Sequence, residues 1–268
     1  MADSARPVIE LREVSRRYGD TLAVDRVSLS VGRGELVVLL GGSGSGKTTT
    51  LKMVNRLIEP SSGGIFVDGA EAQSVPGPEL RRRIGYCFQQ VGLFPHLTVA
   101  GNIAVTPSLL GWDAGRIARR VDELLDLVEL DPAAFRDRRP SELSGGQQQR
   151  VGVARALAAE PKVMLLDEPF GSLDPLTRDR IQQSFQRIRR RLELTAIFVT
   201  HDMIEALLLG DRVAVMNHGR LVQVGTPEEL VRRPADDYVA SLMATPARQA
   251  GALKDLVGGE SGKRQEPR

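Results

Sequence analysis

An apolar run, "ELVVLL" at 35–40, leads straight into a glycine loop, "GGSGSGKTT" at 41–49, and then into a helix-forming stretch. Nothing else in the chain limits its fold so strongly. A short strand that is apolar on both faces suits a covered parallel sheet. Glycines let consecutive backbone N–H groups turn inward around an anion, and a helix N-terminus adds about half a positive charge. Gly41, Gly46, Lys47 and Thr48 satisfy G-x-x-x-x-G-K-[ST] in the strand–loop–helix setting the motif requires. The expected phosphate cradle is therefore Gly41, Gly42, Ser43, Gly44, Ser45, Gly46, Lys47, Thr48 and Thr49. Lys47 is to reach the β- and γ-phosphates, and Thr48 is to ligate Mg²⁺.

The rest of the chain alternates strand and helix patterns. Half-buried strands are expected at 8–14 and 24–31, and further strands at "GIFVDG", "RIGYCFQ", "KVMLLDE" and "TAIFVT". Helices are expected near 47–57, from the second glycine turn to about 159, and near 176–192. "RVAVMNHGRLVQVG" reads as a hairpin turning at Asn217-His218-Gly219, and "TPEELVRR" as a capped helix. Between 97 and 158 the period becomes helical. Ile117, Val121, Leu124, Leu125 and Val128 share one face, which marks an inserted helical region. The result is an α/β fold of the P-loop NTPase class with a parallel-centred sheet. One domain is expected over 8–245, followed by a polar, flexible tail over 246–268.

Several classes are disfavoured. A net charge of +2 is too balanced to argue for a nucleic-acid partner. The triplets Arg81-Arg82-Arg83 and Arg189-Arg190-Arg191 read as solvated helix faces. The single cysteine, Cys87, rules out an internal disulfide. No apolar run approaches the roughly 18–20 residues that span a bilayer.

Four strands are expected to deliver polar groups at their C-terminal ends, where α/β sheets bind ligands. Lys47 and Thr48 follow the first. Asp167 and Glu168 end "KVMLLDE"; buried carboxylates are costly without a cation or a polar cleft. Asp167 is assigned to the magnesium shell and Glu168 to polarising the attacking water. Gln89 ends "RIGYCFQ" and is placed to bridge metal, water and the insertion. His201 ends "TAIFVT" and is placed to hydrogen-bond the γ-phosphate. Tyr18 is a candidate to stack on adenine.

A second glycine turn, "LSGGQQQR" at 143–150, has no lysine and no strand directly ahead of it. It is a poor nucleotide site alone. A second copy of the chain resolves this: Ser144, Gly145 and Gly146 of one copy cap the γ-phosphate held by Lys47 of the other, and two-fold symmetry gives two such sites. "GSLD", with Ser172 and Asp174, is expected along the same seam.

These motifs, in this order, resemble the ATP-binding-cassette (ABC) ATPases that serve transporters, over about residues 8–245. The resemblance implies that Leu143, Ser144, Gly145, Gly146 and Gln147 are the signature, that Ser172, Leu173 and Asp174 form the D-loop, and that Glu168 and His201 are the catalytic glutamate and switch histidine. Gln89 is then the glutamine loop, and Tyr18 the adenine-stacking aromatic. It implies ATP and Mg²⁺ as cofactors and an ATP-sandwiched homodimer. It further implies separate integral-membrane permease subunits, indirectly an extracytoplasmic solute-binding protein, and a place on the cytoplasmic face of the plasma membrane. Leu93, Phe94 and His96 of "GLFPHLTV" match the segment that receives the permease. Stretches such as "VTHDMIEALLLGDRVAVM" resemble importers of glycine betaine, choline, carnitine or proline; amino-acid and polyamine importers share much of this pattern. Longer members carry paired regulatory domains after this point, so sensing by such a module is not expected here. A repair or translation ATPase would bring long coiled-coil insertions or fused cassettes, and a small-molecule kinase leaves "LSGGQ" and His201 unexplained.

Overall fold

The computed structural model describes residues 6–89, 91–171 and 173–244. The chain opens with a long hairpin of β1 (Ile9–Tyr18) and β2 (Thr21–Val31). There follow β3 (Leu36–Leu40), α1 (Lys47–Val54), β4 (Ser62–Val67), β5 (Ala70–Glu71), α2 (Gly77–Arg83) and β6 (Ile84–Cys87). Four helices come next: α3 (Val99–Leu109), α4 (Ala114–Leu127), α5 (Pro132–Phe135) and α6 (Gly145–Leu157). The last third runs through β7 (Val163–Asp167), α7 (Pro175–Arg191), β8 (Thr195–Thr200), α8 (Met203–Leu209), β9 (Arg212–Asn217), β10 (Arg220–Gly225) and α9 (Pro227–Arg232). Residues 237–244 are helical as well.

Two sheets organise these elements. An antiparallel sheet has the order β2-β1-β4-β5, and a six-stranded sheet has the order β10-β9-β3-β8-β7-β6. In the larger sheet β9, β3, β8, β7 and β6 run parallel, with β10 antiparallel at the edge. Every residue of β3, β7 and β8 is buried. The alternation shows why no polar residue is tolerated in their middles. Leu36, Val38, Leu40, Met164, Leu166, Ala196 and Phe198 face one core with Val99, Ile103, Leu124 and Leu125 of the helices. Val37, Leu39, Val163, Leu165, Ile197 and Val199 face a second core with Ile9, Val24, Ile65 and Leu51. A sheet covered on both sides needs strands apolar on both sides.

The helices α3 to α6 lie in the chain between β6 and β7, which are nevertheless paired neighbours. The predicted stripe on α4 is present: Val121, Leu124, Leu125 and Val128 are buried and Ile117 packs against them. The β9–β10 turn has positive φ at His218 and Gly219, the geometry a tight two-residue hairpin turn demands.

Some boundaries differ from expectation. The helix expected over 47–57 stops at Val54, because Asn55 caps it and Arg56 takes φ +49°, sending its guanidinium to the Ala72 carbonyl at 3.1 Å. The arginine triplet 189–191 is solvated at its last two positions only. Arg189 is 3% exposed and pairs with Asp211 while donating to the Gly34 carbonyl at 2.9 Å. β5, α2, α5, α8 and the helix at 237–244 were too short or too weakly patterned to be read in advance. The tail expected over 246–268 lies outside the described residues.

Candidate nucleotide site

The end of β3 is followed by a loop whose geometry only glycine permits at several positions. A Cβ on Gly41 would come within 2.2 Å of the Met216 carbonyl oxygen, and one on Gly46 within 2.6 Å of the Ala23 carbonyl oxygen. Gly46 also has φ +97° and caps α1. Lys47 is 6% exposed, and its Nζ sits inside the loop, donating to the carbonyls of Gly41 (2.9 Å) and Gly42 (2.8 Å). Burial lowers its pKa, while the nearby carboxylates of Glu168 and Asp167 oppose that. The ammonium thus sits inside a glycine loop at the N-terminus of α1, where backbone N–H groups favour an anion.

Thr48 Oγ1 donates to Asp167 Oδ1 at 2.8 Å, which puts the first turn of α1 against the last residue of β7. Asp167 is 3% exposed; burial raises its pKa, and the Thr48 hydrogen bond and Lys52 pull it back. A hydroxyl and a carboxylate held together beside the loop form an oxygen donor set of the kind Mg²⁺ takes, with few protein ligands. Among the described residues no group of three or more His, Cys, Asp or Glu side chains is placed to hold a metal.

β7 ends at Asp167, so Glu168 is not a strand residue as expected. It takes φ +46°, its N–H donates to the Val199 carbonyl at 3.0 Å, and its Oε2 lies 3.1 Å from His201 Nδ1. A non-glycine residue held at positive φ is strained, and here the strain aims the carboxylate. The backbone leaves the strand conformation between the two acids. Around Glu168 and His201 lies a cavity of about 50 Å³, bordered by Arg178, Thr200, Asp202 and Glu205. Gln89 is exposed, two residues beyond β6. Tyr18 ends β1 in the hairpin whose Ala23 and Val24 abut Gly46; it is 45% exposed, and the Arg16 guanidinium covers its ring at 4.5 Å.

The second glycine turn is built differently. Ser144 caps α6, accepting from Gln147 N–H (3.3 Å), while Gln147 Oε1 accepts from Ser144 N–H (2.9 Å). Leu143 is buried in the helical core. A Cβ on Gly146 would touch Leu173 at 3.2 Å, so the turn abuts the segment that carries Leu173 and Asp174. A Cβ on Gly145 would meet nothing within 4 Å. Asp174 caps α7 through Thr177 N–H at 3.0 Å. Ser172 lies outside the described residues.

The profile of the family described as ABC transporter matches residues 24–171. The chain belongs to the ABC transporter family. It is 52% identical over 233 residues to the glycine betaine/carnitine/choline transport ATP-binding protein OpuCA of Bacillus subtilis, covering 87% of this chain and 61% of that one. It is 54% identical over 255 residues to the osmoprotectant import ATP-binding protein OsmV of Salmonella typhimurium, covering 93% and 66%. The chain thus spans just under two thirds of these relatives. A dimeric ATP-binding cassette solved in a post-hydrolysis state bound to ADP and Pi superposes with a TM-score of 0.76 at 32% identity, covering 82% of this chain and 98% of that one. The α/β P-loop fold expected from the sequence is the cassette fold.

The segment expected to meet a permease divides. Leu93 packs against the helical core, whereas Phe94 and His96 are exposed with rings 6.0 Å apart. Phe94 borders a cavity of about 430 Å³ with Tyr86, Phe88 and Arg155. Sequence reasoning missed three neighbours of the ABC site. Tyr238 Oη accepts from Gly42 N–H at 3.2 Å, Gln149 donates to the Glu168 carbonyl at 3.4 Å, and buried Glu205 accepts from Gln182 at 2.8 Å. Their partners are distant in sequence and mostly backbone groups, so no motif announces them.

Proposed function

We propose that the chain is the ATP-binding and ATP-hydrolysing subunit of an importer for small quaternary-amine osmoprotectants such as glycine betaine, carnitine or choline. The observation that carries the ATPase reading is the meeting of Lys47, the Thr48–Asp167 pair and the Glu168–His201 pair at the C-terminal ends of β3, β7 and β8. Lys47 and the loop amides hold the β- and γ-phosphates. Thr48 and Asp167 would hold Mg²⁺, which when bound would supply neutralisation of phosphate charge. Glu168 orients a water and accepts its proton, and His201 steadies the carboxylate while reaching the γ-phosphate. Tyr18 stacks on the base, and Gln89 senses the site from the start of the helical segment.

Gly145 supports the homodimer. Its side-chain direction is empty in its own protomer, as a residue must be if a triphosphate on a second copy is to approach it. Ser144, Gly146 and the D-loop then complete the partner's site. Phe94 and His96 present the surface for an integral-membrane permease; among the described residues no helix is long and apolar enough to cross a membrane. The working place is the cytoplasmic face of the membrane, with a solute-binding protein on the other side. The solute assignment rests on the named relatives.

Two measurements test this. Phosphate release by the purified chain is expected to be ATP-concentration cooperative and to vanish in Lys47→Ala; a fully active Lys47→Ala protein overturns the ATPase reading. Uptake of labelled glycine betaine, choline and carnitine is compared in cells with and without the gene; unchanged uptake of all three overturns the solute reading alone.

A further inference from the structure

Between β6 and α3 the described residues form neither helix nor strand; they include Gln89 and, further on, Phe94. Two side chains from the helices grip these residues. Arg155, in the last turn of α6, donates through Nη1 to the Gly92 carbonyl (2.8 Å) and through Nη2 to the Val91 carbonyl (2.7 Å). Asn102 of α3 is fully buried; it accepts from Phe94 N–H at 2.7 Å and donates to the carbonyls of Phe94 (3.1 Å) and Thr98 (2.9 Å). Since α3 packs on α6, both grips belong to one helical body.

The Arg155 contact is also a close steric fit. Gly152, three residues earlier on α6, lets Val91 seat on the helix: a Cβ there would come within 2.7 Å of Val91 Cγ1. The guanidinium carbon lies 5.9 Å from the centre of the Phe94 ring. Burial lowers the Arg155 pKa, so its charge is kept against a desolvation cost. A methionine would fill the space without that cost. What arginine adds is a planar fork that holds two carbonyls at once.

The other end of α6 begins at Ser144 and Gly145. At 1.5 Å per residue its 13 residues make a strut about 20 Å long. We propose that Arg155 is a positioning residue that fastens the Val91–Gly92 segment to α6, so that movement of the Ser144–Gly146 turn is delivered to Phe94. This rests on the reading above, in which that turn meets the nucleotide of a second copy.

Hydrogen–deuterium exchange tests this in the Glu168→Gln protein, with and without MgATP, in peptides covering 41–49 and 91–98. ATP is expected to slow exchange several-fold in both. In an added Arg155→Met variant, the ATP effect at 41–49 and ATP-dependent dimerisation by light scattering persist. The ATP effect at 91–98 disappears, although Asn102 still protects that segment without nucleotide. Arg155→Lys, which keeps the charge but not the fork, restores part of it. The proposal is overturned if Arg155→Met keeps the ATP effect at 91–98. It is also overturned if that variant loses all protection there before ATP is added, since the role is then structural only. A parent protein with an ATP effect at 41–49 and none at 91–98 overturns it as well. No ATP effect at 41–49 in the parent overturns the nucleotide reading, and this proposal with it.

Discussion

His201 Nδ1 lies 3.1 Å from Glu168 Oε2, and the two residues stand at the ends of adjacent strands, β8 and β7. The contact joins a carboxylate placed by a strained backbone to an imidazole whose side chain is 66% exposed. One group is sheltered enough to act as a base, and the other is open enough to reach a ligand. Glu168→Gln is therefore expected to bind ATP and to slow its hydrolysis by about 10²–10⁴. Phosphate release gives the rate, and gel filtration with MgATP should show an accumulated dimer. A variant that turns over at the parent rate removes Glu168 from the chemistry.

Gly41 and Gly145 separate folding from function. Gly41→Ala drives a Cβ into the Met216 carbonyl and should lower the melting temperature sharply or prevent folding. Gly145→Ala meets nothing in its own chain and replaces a helix-terminal glycine with a better helix former, so the melting temperature should hold or rise slightly. Its ATPase activity should nevertheless fall at least tenfold. Normal turnover by Gly145→Ala would take the second glycine turn out of the active assembly.

Burial sets the direction in which Glu205 titrates. Desolvation raises its pKa, and hydrogen bonds from Thr200 and Gln182 only partly oppose that. The folded protein thus binds this proton more tightly than the unfolded chain. Its contribution is most favourable below the ordinary value of 4.5 and is lost as pH rises through the raised folded value. Glu205→Gln should melt at a higher temperature than the parent at neutral pH, with the gap closing as pH falls toward 4.5. Calorimetry across that range checks it; a gap that widens on acidification contradicts the sign.

Cys87 is 2% exposed, and burial pushes its thiol up to about 12. Reactivity belongs to the thiolate, so the folded protein should not react with a thiol reagent at pH 8. Because Cys87 is the only cysteine, denaturant should release one thiol per chain. Rapid labelling of native protein would mean that β6 opens readily from the sheet.

How far the sequence was legible depended on whether a signal was local. The P-loop, β7 and β8 were readable because both covered faces leave an unbroken apolar run that ends at polar residues. The β9–β10 turn was readable from Asn217-His218-Gly219. Arg189 was hidden among three arginines, because what buries it is Asp211, 22 positions away. Arg155 and Asn102 bind mainly backbone carbonyls and amides, which have no sequence signature. Glu168 was expected as the last residue of that strand, but the strand ends one residue earlier, and nothing local in the sequence announces the positive φ that follows or the N–H bond to the Val199 carbonyl.

The bare face of Gly145 also has a meaning for mixtures of chains. When each chain completes its neighbour's chemistry, a defective copy spoils the sound chain it joins. With random pairing, fully sound pairs fall as the square of the sound fraction. On the proposed assembly, a mixture of working and Gly145-disabled chains should therefore lose fully active pairs out of proportion to the disabled share.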